Sequence, residues 1–215
     1  MLQLPFRDRA DAGRLLGAEL ASRHLPNDSM VLALPRGGVP VGFEVARALG
    51  APLDVVVVRK LGVPGQPELA MGAIASSGSR FLDEKLIRQV GVSQAGVEAI
   101  TAREMQEVER REQLYRAGRP ELDLRNRTVI LVDDGLATGS TMLAAVKCVR
   151  SLQPSRLIAA VPVASKPACS HIRKWADECV CLATPEPFVA VGEWYEDFGQ
   201  TSDAEVRDLL ARAAC

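Results

Sequence analysis

The stretch Val129-Ile130-Leu131-Val132-Asp133-Asp134-Gly135-Leu136-Ala137-Thr138-Gly139-Ser140-Thr141-Met142 decides the fold. Its aliphatic run reads as a buried strand that ends in two adjacent carboxylates, Asp133 and Asp134. A Gly/Thr/Ser loop follows, and Leu143-Ala144-Ala145-Val146 begins an amphipathic helix. Such a unit sets its loop at the carboxyl end of a strand, where open α/β sheets bind ligands. Unpaired loop amides and the helix dipole both favour an anion there. The acidic pair suits sugar hydroxyls or a hydrated Mg2+ ion. Phosphate, sugar and metal within one loop point to a phosphorylated sugar as ligand. Spacing excludes two other phosphate loops. A Walker A loop has the form G-x-x-x-x-G-K-[ST], whereas Gly135 and Gly139 enclose Leu136-Ala137-Thr138 and are followed by Ser140. The G-x-G-x-x-G dinucleotide spacing is absent as well. The bland alternative is a buried strand and a polar turn, for which an acidic pair is a poor choice unless it binds something.

Outward from this unit, aliphatic runs and helical spacings alternate. Residues 8–24 predict a helix through Ala12, Leu15, Leu16 and Leu20, Met30–Leu34 a buried strand, and Val39–Leu49 a second helix. Leu53–Val58 is too apolar for a sheet with one wet face. Residues 59–72 carry glycines and prolines with little periodicity and predict a mobile loop. Short strands are expected near 73–75 and 80–82, then helices over 83–90 and 94–117. The last is highly charged with alternating signs, which favours a solvated helix covering one face over a nucleic-acid arm. A homodimer contact is its other use. Beyond the central unit come a strand at 156–163, a helix at 167–176 and a strand at 178–182. An irregular aromatic tail at 186–200 leads to a helix at 202–213 capped by Ser202 or Asp203. The alternation implies an α/β fold, an open and mostly parallel sheet with helices on both faces. One domain is expected over 1–215, with a core at 28–165 and a small C-terminal hood and tail at 166–215.

The composition fits that architecture. The chain has 215 residues, 47% of them hydrophobic, enough to fill one core. Its net charge of −1 gives no general attraction to nucleic acid or anionic membrane. No segment has the length of a membrane span, and the N-terminus lacks a signal pattern, so the expected location is the cytoplasm. Cys148, Cys169, Cys179, Cys181 and Cys215 form no regular framework, which fits a reducing compartment. Strand alternation points Cys179 and Cys181 to one face. With only His24 and His171 as imidazoles, core thiols are the better reading than a metal pair.

Three further constellations carry chemistry. Leu34-Pro35-Arg36-Gly37-Gly38 runs from a strand into a turn whose glycines leave amides unobstructed beside a guanidinium, a fitting cradle for a diphosphate. Alone, a Gly-Gly turn after a strand merely turns. Arg59 and Lys60 follow another strand and open the expected loop, where they suit a lid over a departing anion. Glu68 in that loop is either close to the reaction centre or simply solvated. Phe188, Trp194, Tyr195 and Phe198 cluster in a chain with only 4% aromatics. They either stack on a flat heterocycle or pin the tail as a satellite core.

The acidic pair and its Thr-Gly-Ser-Thr loop resemble the phosphoribosyl-pyrophosphate motif of type I phosphoribosyltransferases. Gly37-Gly38 is similar to that family's pyrophosphate loop, and Arg59-Lys60 to the basic start of the catalytic loop in orotate and adenine enzymes. Phe188-Val189-Ala190-Val191-Gly192 resembles the hood of hypoxanthine-type enzymes, with Lys166 comparable to their base-contacting lysine. Together these cover most of residues 30–200. One departure is Ala137, where hypoxanthine-type enzymes carry an aspartate near the base.

The resemblance implies a Mg2+-dependent pentosyltransferase that moves the phosphoribosyl group to a nitrogenous base and releases pyrophosphate. It further implies that Asp133 and Asp134 engage ribose hydroxyls or the metal's waters, and that Ala137, Thr138, Gly139, Ser140 and Thr141 bind the 5′-phosphate. Arg36, Gly37 and Gly38 meet the pyrophosphate, Arg59 and Lys60 close over it, and Phe188 or Trp194 stacks on the base. Two alternatives stand beside it: a regulator that binds phosphoribosyl pyrophosphate or a nucleotide without turnover, and a metal-dependent phosphate-ester hydrolase. The second lacks a nucleophile or His near any motif.

Overall fold

A computed structural model describes residues 3–76 and 78–214, the side chains of Pro67 and Glu68 excepted. In chain order the elements are α1 (Arg9–Ala21), β1 (Met30–Ala33), α2 (Gly38–Leu49), β2 (Leu53–Val55), β3 (Val58–Val63), β4 (Gln66–Ala75) and β5 (Arg80–Leu82). Then come α3 (Glu84–Val90), α4 (Gln94–Arg116), β6 (Thr128–Val132), α5 (Ser140–Arg150), β7 (Arg156–Val163), α6 (Lys166–Ile172), β8 (Glu178–Ala183) and α7 (Asp203–Arg212).

Five strands make an open sheet in the order β2-β1-β6-β7-β8, and every pairing in it is parallel. Alternation divides the strand residues between two apolar layers. Val31, Ala33, Ile130, Val132, Ile158 and Ala160 belong to the layer of α1 and α2. Leu32, Val129, Leu131, Leu157, Ala159 and Val161 belong to that of α5 and α6. With helices over both faces, all of β6 is buried, as a central parallel strand must be. From β1 the chain crosses through α2 to β2 on one side. From β6 it crosses through α5 to β7 on the other. The winding therefore reverses between β1 and β6, which pair directly from Met30 with Val129 to Ala33 with Val132. Two crossovers diverging from neighbouring strands leave a crevice at their carboxyl ends.

The expected loop at 59–72 is corrected by the structure. β3 and β4 pair antiparallel as a hairpin, and β5 extends it to a second, three-stranded sheet. Leu61, Val63, Met71 and Ala73 are buried in it. Register shifts around Gly62 break the pairing and residues 71–75 are buried without alternation, which hides the strand period in the sequence. The expected strand at 53–58 is likewise split, with β2 ending at Val55 and β3 starting the other sheet at Val58. Glu68, named above, lies outside the described side chains.

Long α4 packs on the hairpin and contributes buried Val97, Val108 and Tyr115, so it is only partly a solvated face. Its last turn is fastened by a two-pronged bond from Arg116 to Asp54, with Nε–Oδ1 at 3.0 Å and Nη2–Oδ2 at 3.2 Å. The parallel sheet continues through β8, so the irregular tail begins only after Ala183. There Phe6 and Tyr195 form a bridge and a small cluster with Ala12 and Val163, joining the segment before α1 to this tail.

Candidate functional site

Two loops meet in the crevice. The turn after β1 and the loop after β6 are laced by Leu34 N–H donating to the Val132 carbonyl at 2.9 Å. Their approach is too close for side chains between them. A Cβ on Gly38 would lie 2.7 Å from the Val132 carbonyl oxygen, and one on Gly37 would lie 2.1 Å from Asp134 Oδ2. Glycine is required here for closeness rather than for turning, since Gly37 has ordinary right-handed helical dihedrals. The Pro35–Arg36 peptide is cis. Gly38 N–H is already bonded to the Leu34 carbonyl and Val39 N–H to that of Arg36. The amides of Arg36 and Gly37 make no hydrogen bond among the described residues.

The loop after β6 is built as a cradle. Leu136 N–H donates to the Val163 carbonyl, Ser165 N–H to that of Leu136, and the Ser165 hydroxyl to that of Ala137 at 2.7 Å. These bonds tie the loop's floor to the start of α6. Gly139 turns left-handed at φ +72° and caps α5, a conformation that suits glycine. Ser140 N–H donates to Thr138 Oγ1. The amides of Ala137, Thr138, Gly139, Thr141 and Met142 make no hydrogen bond among the described residues, and they flank the positive end of α5. Such a ring of donors takes an anion.

The acidic pair is held rather than loose. Asp133 Oδ1 accepts the N–H of Asp134 at 2.9 Å. Asp134 Oδ2 accepts from Arg9 Nε at 2.8 Å, and the Asp134 carbonyl accepts the Tyr195 hydroxyl at 2.6 Å. One oxygen of each carboxylate is thereby left without a protein donor among the described residues. Burial, and then the charge of Asp134, push the Asp133 carboxyl well above the usual range. Burial raises Asp134 too, against the pull of Arg9.

Arg9 is the residue that sequence reasoning missed. It also donates to the Gly199 carbonyl at 2.6 Å and stacks over Phe198 at 3.9 Å. It stands 125 positions from Asp134, and nothing in the local pattern of α1 marks it.

The other expected residues are distributed around this centre. The guanidinium of Arg36 is 3.7 Å from Asp203, which also accepts the Tyr115 hydroxyl. Strand alternation separates Arg59 from Lys60. Arg59 is paired with Glu104 on α4 at 2.8 Å. Burial raises that carboxyl, but hydrogen bonds from Arg103 and Arg59 bring it below its ordinary value. Lys60 lines a cavity of about 140 Å3 together with Thr138, Ser140, Lys147 and His171, so the hairpin brings it to the rim of the loop after β6. Lys166 is exposed and paired with Glu186 at 3.2 Å. Phe188 and Trp194 pack on each other, centroids 6.1 Å apart, against the cluster of Phe6 and Tyr195. No group of three or more His, Cys, Asp or Glu among the described residues is arranged to enclose a metal ion.

Fold and site thus define an open α/β protein with an anion cradle, an acidic pair and a glycine turn at its topological switch point. The phosphoribosyl transferase domain matches residues 12–197, and the chain belongs to that family. A Mycobacterium tuberculosis protein that is provisionally named a phosphoribosyl transferase is 47% identical over 208 residues, 97% of this chain. The chain spans about half the length of such curated relatives, 47%. The crystal structure of TT1426 from Thermus thermophilus is 44% identical and superposes with a TM-score of 0.89, covering 96% of this chain and 98% of the other. A Neisseria gonorrhoeae protein crystallised with bound ppGpp shares the fold at 12% identity, with a TM-score of 0.51 over 95% of this chain and 92% of that one.

Proposed function

We propose that the chain transfers the 5-phosphoribosyl group of phosphoribosyl pyrophosphate to a nitrogenous heterocycle, with release of pyrophosphate. The observation that carries this reading is the meeting of the two loops, an acidic pair between two sets of unused amides. The amides at 137–142 suit the 5′-phosphate, those of Arg36 and Gly37 the diphosphate, and the free carboxylate oxygens the sugar hydroxyls between them. Gly38 contributes by having no side chain, since its amide is already committed.

In such a displacement the bond to the leaving group breaks ahead of attack. Negative charge grows on the diphosphate while the ribose becomes cationic. Donors fixed beforehand at the diphosphate stabilise that change without reorganising, and two anchored ends hold the anomeric carbon in line. Lys60 at the cradle's rim adds charge to the same region. Arg59 would join it only by leaving Glu104. Mg2+ fits this donor set through one or two carboxylates, waters and substrate phosphates, and when bound it would neutralise the diphosphate. Asp133 and Asp134 would hold it through its waters. Phe188 and Trp194 offer an aromatic edge for a flat base, and Lys166 on α6 is paired with Glu186, two positions before Phe188. The acceptor class follows from this reading, as do a role in nucleoside salvage and a cytoplasmic setting.

Pyrophosphate release from phosphoribosyl pyrophosphate and Mg2+, measured against a panel of purines and pyrimidines, tests the proposal. Base-dependent release is expected, and Asp133→Asn with Asp134→Asn should abolish it without unfolding the chain. Unchanged turnover in that double variant, or release of inorganic phosphate without any base, would overturn it.

A further inference from the structure

Three of the described thiols converge beneath the phosphate cradle, outside the site just described. Cys169 lies on α6, and Cys179 and Cys181 share one face of β8. Cys179 Sγ is 3.8 Å from Cys169 Sγ, in sulfur–sulfur contact, and Cys181, two residues along the same strand face, donates its thiol to the Ala183 carbonyl at 3.0 Å. Cys169 and Cys179 are buried, whereas Cys181 is partly exposed. The trio is not arranged to enclose a metal ion, and its close sulfur contacts suit thiol–disulfide chemistry instead. Its position gives it consequence. Ala168, the neighbour of Cys169, packs where Gly139 comes closest to α6, at 3.3 Å from an added Cβ. Ser165, the cap of the same short helix, holds the Ala137 carbonyl.

We propose that Cys169 forms a reversible disulfide with the Cys179/Cys181 pair, and that this bond loosens the phosphate cradle by drawing α6 off its floor. The oxidant is a hydroperoxide. It meets Cys181 first, the only member of the trio open to solvent. The Cys181 sulfur attacks the peroxide, the O–O bond breaks, a sulfenic acid forms and water or an alcohol leaves. Cys169 attacks that sulfur, the S–S bond forms and a second water leaves. Two thiols lose two electrons and two protons, and the peroxide takes both. Exchange with Cys179 can move the bond along β8 without further oxidation. Closing the contact from 3.8 Å to a bonded distance of about 2.05 Å pulls α6 toward β8. Ser165 and Ala168 then lose register with Ala137 and Gly139.

The disulfide itself stands apart from the proposed function, whereas its effect on substrate rests on that reading. The full chain is treated with hydrogen peroxide, and tryptic peptides are mapped without reduction. Hydrogen exchange at Leu136 and Ser165, whose N–H groups bind the cradle's floor, is followed before and after, as is binding of phosphoribosyl pyrophosphate. The expected map joins the peptide of Cys169 to the one carrying Cys179 and Cys181. Exchange at Leu136 and Ser165 should quicken about tenfold, a 1.4 kcal/mol opening, and dithiothreitol should reverse it. Cys169→Ser should abolish both changes, whereas Cys148→Ser should not. No such link, or a link with unchanged exchange, overturns the proposal. If reduced protein fails to bind the sugar phosphate, the functional reading falls while the map and the exchange still decide this one.

Discussion

Replacing Gly37 with Ala puts a methyl carbon 2.1 Å from Asp134 Oδ2 and 2.8 Å from Asp134 Cγ. The backbone tolerates it, because φ −60° and ψ −31° are ordinary for alanine. The carboxylate must therefore retreat by about 1 Å to reach a tolerable contact. Arg9 Nε is 2.8 Å from that same oxygen, so the retreat stretches the bond to the limit at which hydrogen bonding fails. A hydrogen bond to a charged group contributes about 1.5–3 kcal/mol, and the unfolded-state gain of Gly→Ala returns about 0.4–1 kcal/mol. The net expectation is a loss of about 1–2 kcal/mol, read by urea denaturation at unchanged m-value. With Asp134→Ala the obstacle is gone, and Gly37→Ala should then be neutral or stabilising by up to about 1 kcal/mol. A Gly37→Ala cost that is the same in both backgrounds would refute the steric reasoning.

Other expectations concern the frame and the ligand. Arg116→Met leaves the buried carboxylate of Asp54 with the Val55 N–H and, as its one nearby cation among the described residues, Arg119 at 3.6 Å, and should cost about 3 kcal/mol in denaturant unfolding. Burial first, and then the bond to Asp203, push the Tyr115 hydroxyl up to about 12 from 10.0. Because the folded value is the higher, this stabilisation is complete below pH 10 and is lost as pH rises toward 12. Tyr115→Phe should lack that part of the alkaline decline, and curves with identical slopes would contradict the assignment. Chelating Mg2+ should weaken phosphoribosyl pyrophosphate binding by at least about tenfold, or 1.4 kcal/mol, with the melting curve of the free protein unmoved. Equal affinity in EDTA would remove the metal from the account.

The centre of the molecule was legible because its signals are local. β6, the acidic pair and the glycine-bearing loop into α5 occupy consecutive residues, and Leu34 to Gly38 repeats the logic after β1. The parallel sheet followed from alternating apolar runs and helices, and the shared face of Cys179 and Cys181 from strand alternation alone. The hairpin at 58–75 escaped because its register shifts at Gly62 and its residues 71–75 are buried without alternation, and burial of Leu61, Val63 and Met71 is decided by α4 and α5 rather than by neighbours in sequence. Long-range electrostatics were beyond reach for the same reason. Neither Arg9 nor Tyr195 carries any local mark of its bond to Asp134, and Arg59 finds Glu104 across 45 positions. Phe188 and Trp194 show the limit from the other side, since their clustering was plain while their packing with Phe6 needed the fold.

Calorimetric titration of phosphoribosyl pyrophosphate and Mg2+ into the wild-type chain and into the Asp133→Asn, Asp134→Asn variant tests the central claim most directly. The two-loop site predicts saturable one-to-one binding to the wild type and a loss of at least about tenfold, or 1.4 kcal/mol, in the variant. No binding to the wild type, or equal affinity in both, would contradict the account.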